Sequence, residues 1–546
     1  MRTLLSPAIA ALALLPATSP AADPVPRFGV FEEALEADRD YDNPFWDVDA
    51  TVTFASPSGK RTTVDAFWDG GRTWRVRFSP DEAGSWSWRS ASSVGDVGLE
   101  GKTGAFECLP DEGDNELLRR GPLRLADDRR SIAFADGSPF FWLGDTAWNG
   151  VLRAHPEHWD RYLRTRADQR FTVIQFVTTQ WRGGRAVLDD LAFEGEQRIR
   201  IHPSFYQKRD PMIAAINDHG MVAAPILLWA LTESDPGRAL PIADAVRLAR
   251  YEVARYGAYQ VVWLLGGDGH YLRPDEVERW KAIGRGVFGD DGGNDRGRLA
   301  SLHPSGQAWV GDVYASEPWY DLIGYQSGHG DNADHLRWLV QGPPARPWTE
   351  QPELPIINME PNYETHPSYH SDTVFGAFEV RRASYWSLLV SPPAGVTFGH
   401  NAIWVWNDRP GLAEGHEGIG TVAPWTEGLD TPGVRSMTVL RDFFESGPWP
   451  SLRPDPSLLR SQPGSDDPSR FVAAASTPDG SWAVFYSPRG GTISLDSSKF
   501  DRPMAARWFD PRSGAFREAG PVGKGPVSFE APSDEDWVLD LRPADA

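Results

Sequence analysis

The chain has 546 residues and a formal net charge of −22, with 24 tryptophans and a single cysteine. That length calls for two to four domains rather than one core. The acidic surplus excludes nucleic acid as a partner, and the lone Cys108 excludes an intramolecular disulfide, so packing must supply the stability. So many tryptophans in an acidic chain fit sugar-stacking surfaces as well as core, which makes carbohydrate the leading ligand class.

The chain opens with Met1 and Arg2, an apolar run from Leu4 to Leu15, and small residues up to Ala22. This reads as a bacterial signal peptide over 1–22, cut near Ala22 and too short to span a membrane. No cysteine stands at the cleavage site to take a lipid, and no later run has transmembrane length. The expectation is a secreted or periplasmic monomer without membrane insertion.

Residues 23–110 read as a β-sandwich. Segments such as ATVTFASPSGK and FWDGGRTWRVRFSP alternate and are bounded by Ser58-Gly59, Asp69-Gly70-Gly71 and Ala83-Gly84 turns. Trp74/Phe78 and Trp86/Trp88 fall on same-face positions and are expected in its core. The polar, turn-rich stretch DEGDNELLRRGPLRLADD is the expected linker into a second domain over 111–435.

There, strands alternate with helices. The predicted strands lie in 140–148, 171–181, 221–233, 260–268, 298–306, 321–329, 355–364 and 395–404. His155-Pro156 opens one helix, with Trp159, Tyr162 and Leu163 on one face. Asp210-Pro211 is expected to open the next, which Gly220 closes. Ile242, Val246, Ala249 and Val253 are expected to line one side of a third, which ends near Gly257. Eight strand signals with helical segments between them predict an α/β fold, a (β/α)₈ barrel; a doubly wound sheet is the alternative, but no Gly-rich phosphate fingerprint follows any strand. From 436 a short helix leads into alternating segments RFVAAAS, SWAVFYSP, GTISLD, AARWFDP and DWVLDLR, a second β-sandwich to 546.

Nearly every barrel strand ends on a polar or aromatic residue, and barrel strands aim these ends at one pocket. The candidates to contact substrate are Asp145, Trp148, Gln180, Trp181, Trp229, His303, Tyr325, Gln326, His329, Tyr363 and Asn401. Asp145 could instead cap a helix, and His303 before Pro304 fits a packed core position as well as a ligand. The fourth strand ends in Asp268 and the seventh in Glu360. Two carboxylates so placed suit glycosidic cleavage, in which one gives a proton to the leaving oxygen while the other attacks or activates water. The glycines before Asp268 are expected to let substrate approach the backbone, and Tyr325 or Tyr363 to hydrogen-bond Glu360. HExxH, GxSxG and CxxC patterns are missing. The loop DDGGNDRG (290–297) lacks the full calcium-loop pattern and reads as a solvated turn. No metal or other cofactor is expected.

FFWLGDTAW, VVWLLGGD, YQSGH, INMEPNYE and FGHNAIW together resemble the apiosidase-like glycoside hydrolases (the glycoside hydrolase family 140 type). FWDGGRTWRVRFSPDEAGSWSW resembles the β-sandwich often found before that barrel, and ARWFDPRSG with DWVLDLR resembles the C-terminal module named for collagen binding. The resemblance spans nearly the whole chain beyond the leader. It implies a retaining hydrolase acting on a pectic side chain, with Asp268 as acid/base and Glu360 as nucleophile. Many related barrels carry glutamate where this chain has the shorter Asp268. The rival classes are a non-catalytic carbohydrate-binding barrel, against which both retained carboxylates speak, and a matrix adhesin, for which no basic or repeat-rich stretch argues.

Overall fold

The computed structural model describes residues 23–110, 113–184, 190–289 and 297–544. The expected signal peptide, and all but the last residue of the 290–297 loop, lie outside the described residues. At the centre stand eight strands: β1 (Trp142–Thr146), β2 (Val173–Val177), β3 (Val222–Trp229), β4 (Trp263–Gly269), β5 (Ala300–Pro304), β6 (Ile323–Tyr325), β7 (Ile356–Asn358) and β8 (Pro393–Phe398). Each falls within or overlaps an expected strand segment. Their residues are buried almost throughout, because helices cover the outside and the barrel fills its own inside.

Hydrogen-bonded neighbours run β5-β4-β3-β2-β1-β8-β7-β6, and every pairing is parallel. The seam between β5 and β6 is closed by the Asp321 N–H on the Ala300 carbonyl (2.9 Å) and by the Ser301 hydroxyl on the Leu322 carbonyl (2.8 Å). The fold is therefore a (β/α)₈ barrel. On β4 the register against β5 shifts between Leu264 and Gly267 and again between Gly267 and Gly269, so the strand bulges where Asp268 stands.

Helices Pro156–Asp168, Pro203–Asp218, Pro274–Phe288 and Pro432–Glu445 all begin on proline, where its missing N–H costs nothing. The second of these corrects the sequence reading: it starts at Pro203, and Pro211 lies inside it. An internal proline ordinarily breaks a helix at about 3 kcal/mol. Here its neighbour Asp210 is locked by Arg255 through two bonds of 2.7 Å each and by Arg77 at 2.7 Å. On the helix Ile242–Tyr256 the expected side is buried at Ala249 and Val253 and packs on the core at Val246, while Ile242 in its first turn is exposed; the buried set is wider than expected and takes in Ala245, Leu248, Glu252 and Arg255.

The N-terminal sheet wraps around a core that holds Trp74, Phe78, Trp86 and Trp88, as the alternation required. Strand Arg61–Trp68 serves both layers, pairing with Ala50–Ala55 over most of its length and with Thr73–Phe78 at its end. Arg77 and Arg255 bind this sheet to the barrel: Arg77 reaches Glu32 (2.6 Å) and Asp210, while Arg255 reaches Asp69 (2.9 Å). The C-terminal module contains the five expected segments and three further strands, Arg453–Pro454, Phe516–Val522 and Pro526–Glu530, arranged as a six-stranded sheet and a separate pair in which Thr492–Asp496 meets Pro526–Glu530. It is fixed by a buried bidentate pair between Arg381 and Asp536 (2.9 and 2.8 Å). Arg381 lies on helix Ala377–Val390, which joins β7 to β8.

One buried group stands apart. Glu252 is wholly buried with no cation against it among the described residues, and burial holds its carboxyl well above the usual range although the Thr178 and Tyr206 hydroxyls pull the other way. A folded value raised above the unfolded one means that stability declines as pH climbs past about 4.3, where the unfolded chain ionises and the fold does not. Glu252→Gln should therefore melt higher than the native protein at pH 8, with the two melting curves converging near pH 4. Equal melting temperatures at pH 8 would show that Glu252 is compensated in the fold.

Candidate active site

A cavity of about 470 Å³ opens at the C-terminal ends of the strands. Asp268, at the β4 bulge, and Glu360, just after β7, both line it. Asp268 adopts a left-handed backbone with φ +55°, a conformation that costs a non-glycine residue about 1 kcal/mol or more. The flanking glycines serve packing rather than substrate approach, which corrects the sequence reading. A Cβ on Gly266 would stand 2.5 Å from the Tyr271 hydroxyl, and one on Gly267 would stand 2.7 Å from the Trp229 ring.

Burial, and then the neighbouring Glu360 carboxylate, hold the Asp268 proton well above the usual carboxylate range; the Arg182 guanidinium and the Gln326 side chain pull the other way. Glu360 accepts from His329 Nε2 (2.9 Å), and its other oxygen lies 3.5 Å from His303 Nε2. Burial drives His329 down to about 3, with His335 and His416 adding to the effect. The ring is thus neutral, and its single N–H sits on Nε2, toward the carboxylate. His366 stacks on it at 4.1 Å and is also pushed down to about 3, chiefly by burial.

Trp148, Trp181 and Trp229 wall one side, with Trp181 and Trp229 centroids 4.4 Å apart and Trp148 edge-on to Trp229. The turn Gly183-Gly184 folds over Trp181, since a Cβ at either would lie within 2.8 Å of its ring. Asn149 accepts the Trp181 indole N–H (2.9 Å). Of the residues expected at the pocket, Gln326, His329 and Tyr363 also line it. Tyr363 packs flat against Gly399, where a Cβ would come within 2.1 Å of the ring.

Five expected contacts lie outside the cavity lining. Asp145 is wholly buried in a pair with Arg166 (2.5 Å) and accepts from Tyr162 (2.7 Å). Gln180 spends both ends of its amide on the backbone at Ala192 and Phe193. His303 is wholly buried behind Glu360, edge-on to Trp148. Tyr325 is buried between Trp309 and Trp338. Asn401 acts at one remove, accepting from the indole of Trp404 (2.9 Å), a pocket residue. Glu360 takes a hydrogen bond from His329, and the buried Tyr363 hydroxyl, which reaches Thr146 (3.3 Å), also interacts with Glu360, as expected of one of the two tyrosines; Tyr325 does not.

The sequence reading missed Arg182, His366, Tyr369, Trp404 and His416, all in the lining. Arg182 places Nη2 at 3.9 Å from Asp268 and 2.7 Å from His416 Nε2. It directly follows Trp181, and His366 and Tyr369 lie in the loop after Glu360, so a wider window at the strand ends would have caught these three. His416 sits in an excursion after β8 and carries no such signal. Among the described residues, no group of three or more His, Cys, Asp or Glu side chains is arranged to hold a metal ion, and no helix is long and apolar enough to cross a membrane.

A (β/α)₈ barrel with two carboxyl groups at its C-terminal strand ends, in a tryptophan-walled pocket, is the architecture of glycoside hydrolases. The family model for the apiosidase-like catalytic domain matches residues 126–451, and the chain belongs to that family; it is a glycosidase. A domain of unknown function, DUF5060, matches 24–93, and a model named for collagen binding in a collagenase matches 454–542. A comparison with curated proteins gives no match. Among solved structures, a glycoside hydrolase is 22% identical over 78% of this chain and 98% of its own, with a TM-score of 0.67. A family 5 glycoside hydrolase from Bacteroides vulgatus is 23% identical over 78% and 95%, with a TM-score of 0.66. A protein of the same organism, provisionally described as a glycoside hydrolase, is 19% identical over 95% and 100%, with a TM-score of 0.70. At these identities the likeness is one of fold.

Asp268 bears two costs at once, a left-handed backbone and a carboxyl forced to keep its proton. Asparagine relieves both, since it tolerates that conformation and cannot ionise. Asp268→Asn should lose activity yet gain about 1 kcal/mol of stability at neutral pH, read as a higher denaturant midpoint. A lower midpoint would show that the native carboxylate is stabilised where it sits.

Proposed function

We propose that the protein is an exported hydrolase that removes a small chain-end sugar, apiose of a pectic side chain, with retention of configuration. Glu360 attacks the anomeric carbon while Asp268 gives its proton to the departing glycosidic oxygen, leaving a glycosyl ester on Glu360. Asp268, now a carboxylate, takes a proton from water, whose oxygen displaces Glu360. The sugar leaves with its original configuration after two inversions. The proposed organisation is a signal peptide over 1–22, a sandwich over 23–110, the catalytic barrel over 111–435 and a second sandwich over 436–546.

The observation that carries this reading is the electrostatic link between the two carboxyls in one cavity. Glu360 is the largest charged contributor to the raised Asp268 proton affinity, so the pair divides naturally into a proton donor and a charged partner. Double displacement needs the two carboxyl groups about 5 Å apart, whereas inversion needs roughly 6.5 Å or more to admit a water, so the stereochemistry of the product decides between them. Asp268 remains an acid at pH values where an ordinary aspartate has ionised, and activity should fall on the alkaline side as that proton is lost. Membership of the apiosidase-like family supports apiose as the sugar, and the tryptophan-walled end supports a chain-end residue over an internal one.

Four measurements test this reading. Glu360→Gln should abolish turnover. Asp268→Ala should slow cleavage of a sugar leaving group by about 10²- to 10⁴-fold while sparing a glycosyl fluoride, whose leaving group needs no proton. NMR of the first-formed product should show the retained anomer; an inverted one would recast Glu360 as a base. Failure to release apiose from a pectin fragment that carries it would remove this sugar and leave the hydrolase standing.

A further inference from the structure

The cavity has two unlike ends. Its inner wall is made of Trp148, Trp181 and Trp229, none more than 3% exposed, whereas Tyr369 at its mouth is 64% exposed. An exposed aromatic ring is ordinary on a floppy loop, but this one is clamped. Ser368 and Ser371 each donate to Asp331 (2.7 and 2.6 Å). The Tyr369 N–H is bound by the His329 carbonyl (2.9 Å), and the hairpin around it closes through Ser368 N–H to Thr373 O and Thr365 N–H to Phe375 O (2.7 and 2.8 Å). The ring meets its neighbours His366 and His329 steeply, at interplanar angles of 88° and 69°, rather than being covered by a parallel stack.

We propose that Tyr369 is the outer sugar-binding subsite of this pocket, its ring stacking on the substrate residue that departs when the chain-end sugar is cut. This rests on the reading of Asp268 and Glu360 given above. A chain-end sugar that enters far enough to meet Glu360 fills the tryptophan-walled end. Whatever it is attached to must then pass the mouth, where Tyr369 stands. A sugar ring offers C–H groups on one face, and a flat apolar surface held in place before binding gains that contact without paying to order it. The ligand class is accordingly an oligosaccharide with at least one sugar beyond the scissile bond, and Tyr369 selects for it against small leaving groups.

The test compares two substrates on full-length protein: a pectin-derived oligosaccharide ending in apiose, and apiosyl fluoride, which has nothing beyond the scissile bond. For Tyr369→Ala the ratio of kcat/KM on the oligosaccharide to that on the fluoride should fall at least about tenfold, while Tyr369→Phe, which keeps the ring, should hold the native ratio. An unchanged ratio in Tyr369→Ala, with or without an equal loss on both substrates, would overturn the proposal, since the loss would then come from disturbing His329. A fallen ratio in Tyr369→Phe would overturn the stacking role in favour of the hydroxyl. If native protein turns over neither substrate, the apiose reading fails first and this subsite falls with it.

Discussion

Two carboxyl groups facing one cavity repel when both are ionised, and the surroundings of Asp268 and Glu360 are ordered by that repulsion. A proton stays on Asp268, and the histidines nearest Glu360 are kept neutral by burial, so His329 meets the carboxylate as a hydrogen-bond donor and not as a counter-ion. Among the described residues, the only ion pair within reach of either group that does not depend on a histidine proton is the loose one from Arg182 to Asp268. A tight guanidinium contact would have drained the proton from Asp268 and removed the asymmetry on which acid–base chemistry depends. Distance here matters as much as identity.

Such a site is costly, and fully buried pairs placed just outside it keep it from relaxing. Asp145 and Arg166 fix the end of β1 to helix Pro156–Asp168, and the rest of the guanidinium holds the carbonyls of Gly428 and Leu429. Glu364, four residues beyond Glu360, binds Thr431 and the Gly433 N–H at the start of helix Pro432–Glu445. The chain after β7 is thus tied at both ends, by His329 at Glu360 and by this cap at Glu364. Breaking either partner of a wholly buried ion pair such as Asp145 and Arg166 ordinarily costs about 3–5 kcal/mol, so that clamp holds geometry firmly whatever its net contribution to stability.

The strands were legible because a barrel strand buried on both faces reads as a short apolar run, and each run ended on a group able to do chemistry. What misled was buried charge. On the helix Ile242–Tyr256 the apolar spacing found Ala249 and Val253 but not the burial of Glu252 and Arg255, because a charged residue signals solvent until its surroundings are known. Pro211 looked like a helix start because its tolerance depends on Arg77 and Arg255, remote in sequence from it. Asp145 had the right residue type at the right strand end, yet its partner Arg166 lies on the following helix and turns it inward. Loop-borne lining residues carry no periodicity. Arg182 and His416 meet across 234 positions, and no local pattern encodes such a contact.

The two arginine clamps bear on how this gene can be cut. Arg381 belongs to the barrel and finds its carboxylate in the C-terminal sheet; Arg255 likewise finds one of its two in the N-terminal sheet, at Asp69. A cassette trimmed to the barrel alone would keep Arg381 with its Asp536 partner gone. Shuffling these modules between relatives, by recombination or by design, is therefore constrained pairwise: a donor sheet must bring an acid to the same spot, or the recipient helix must surrender its arginine.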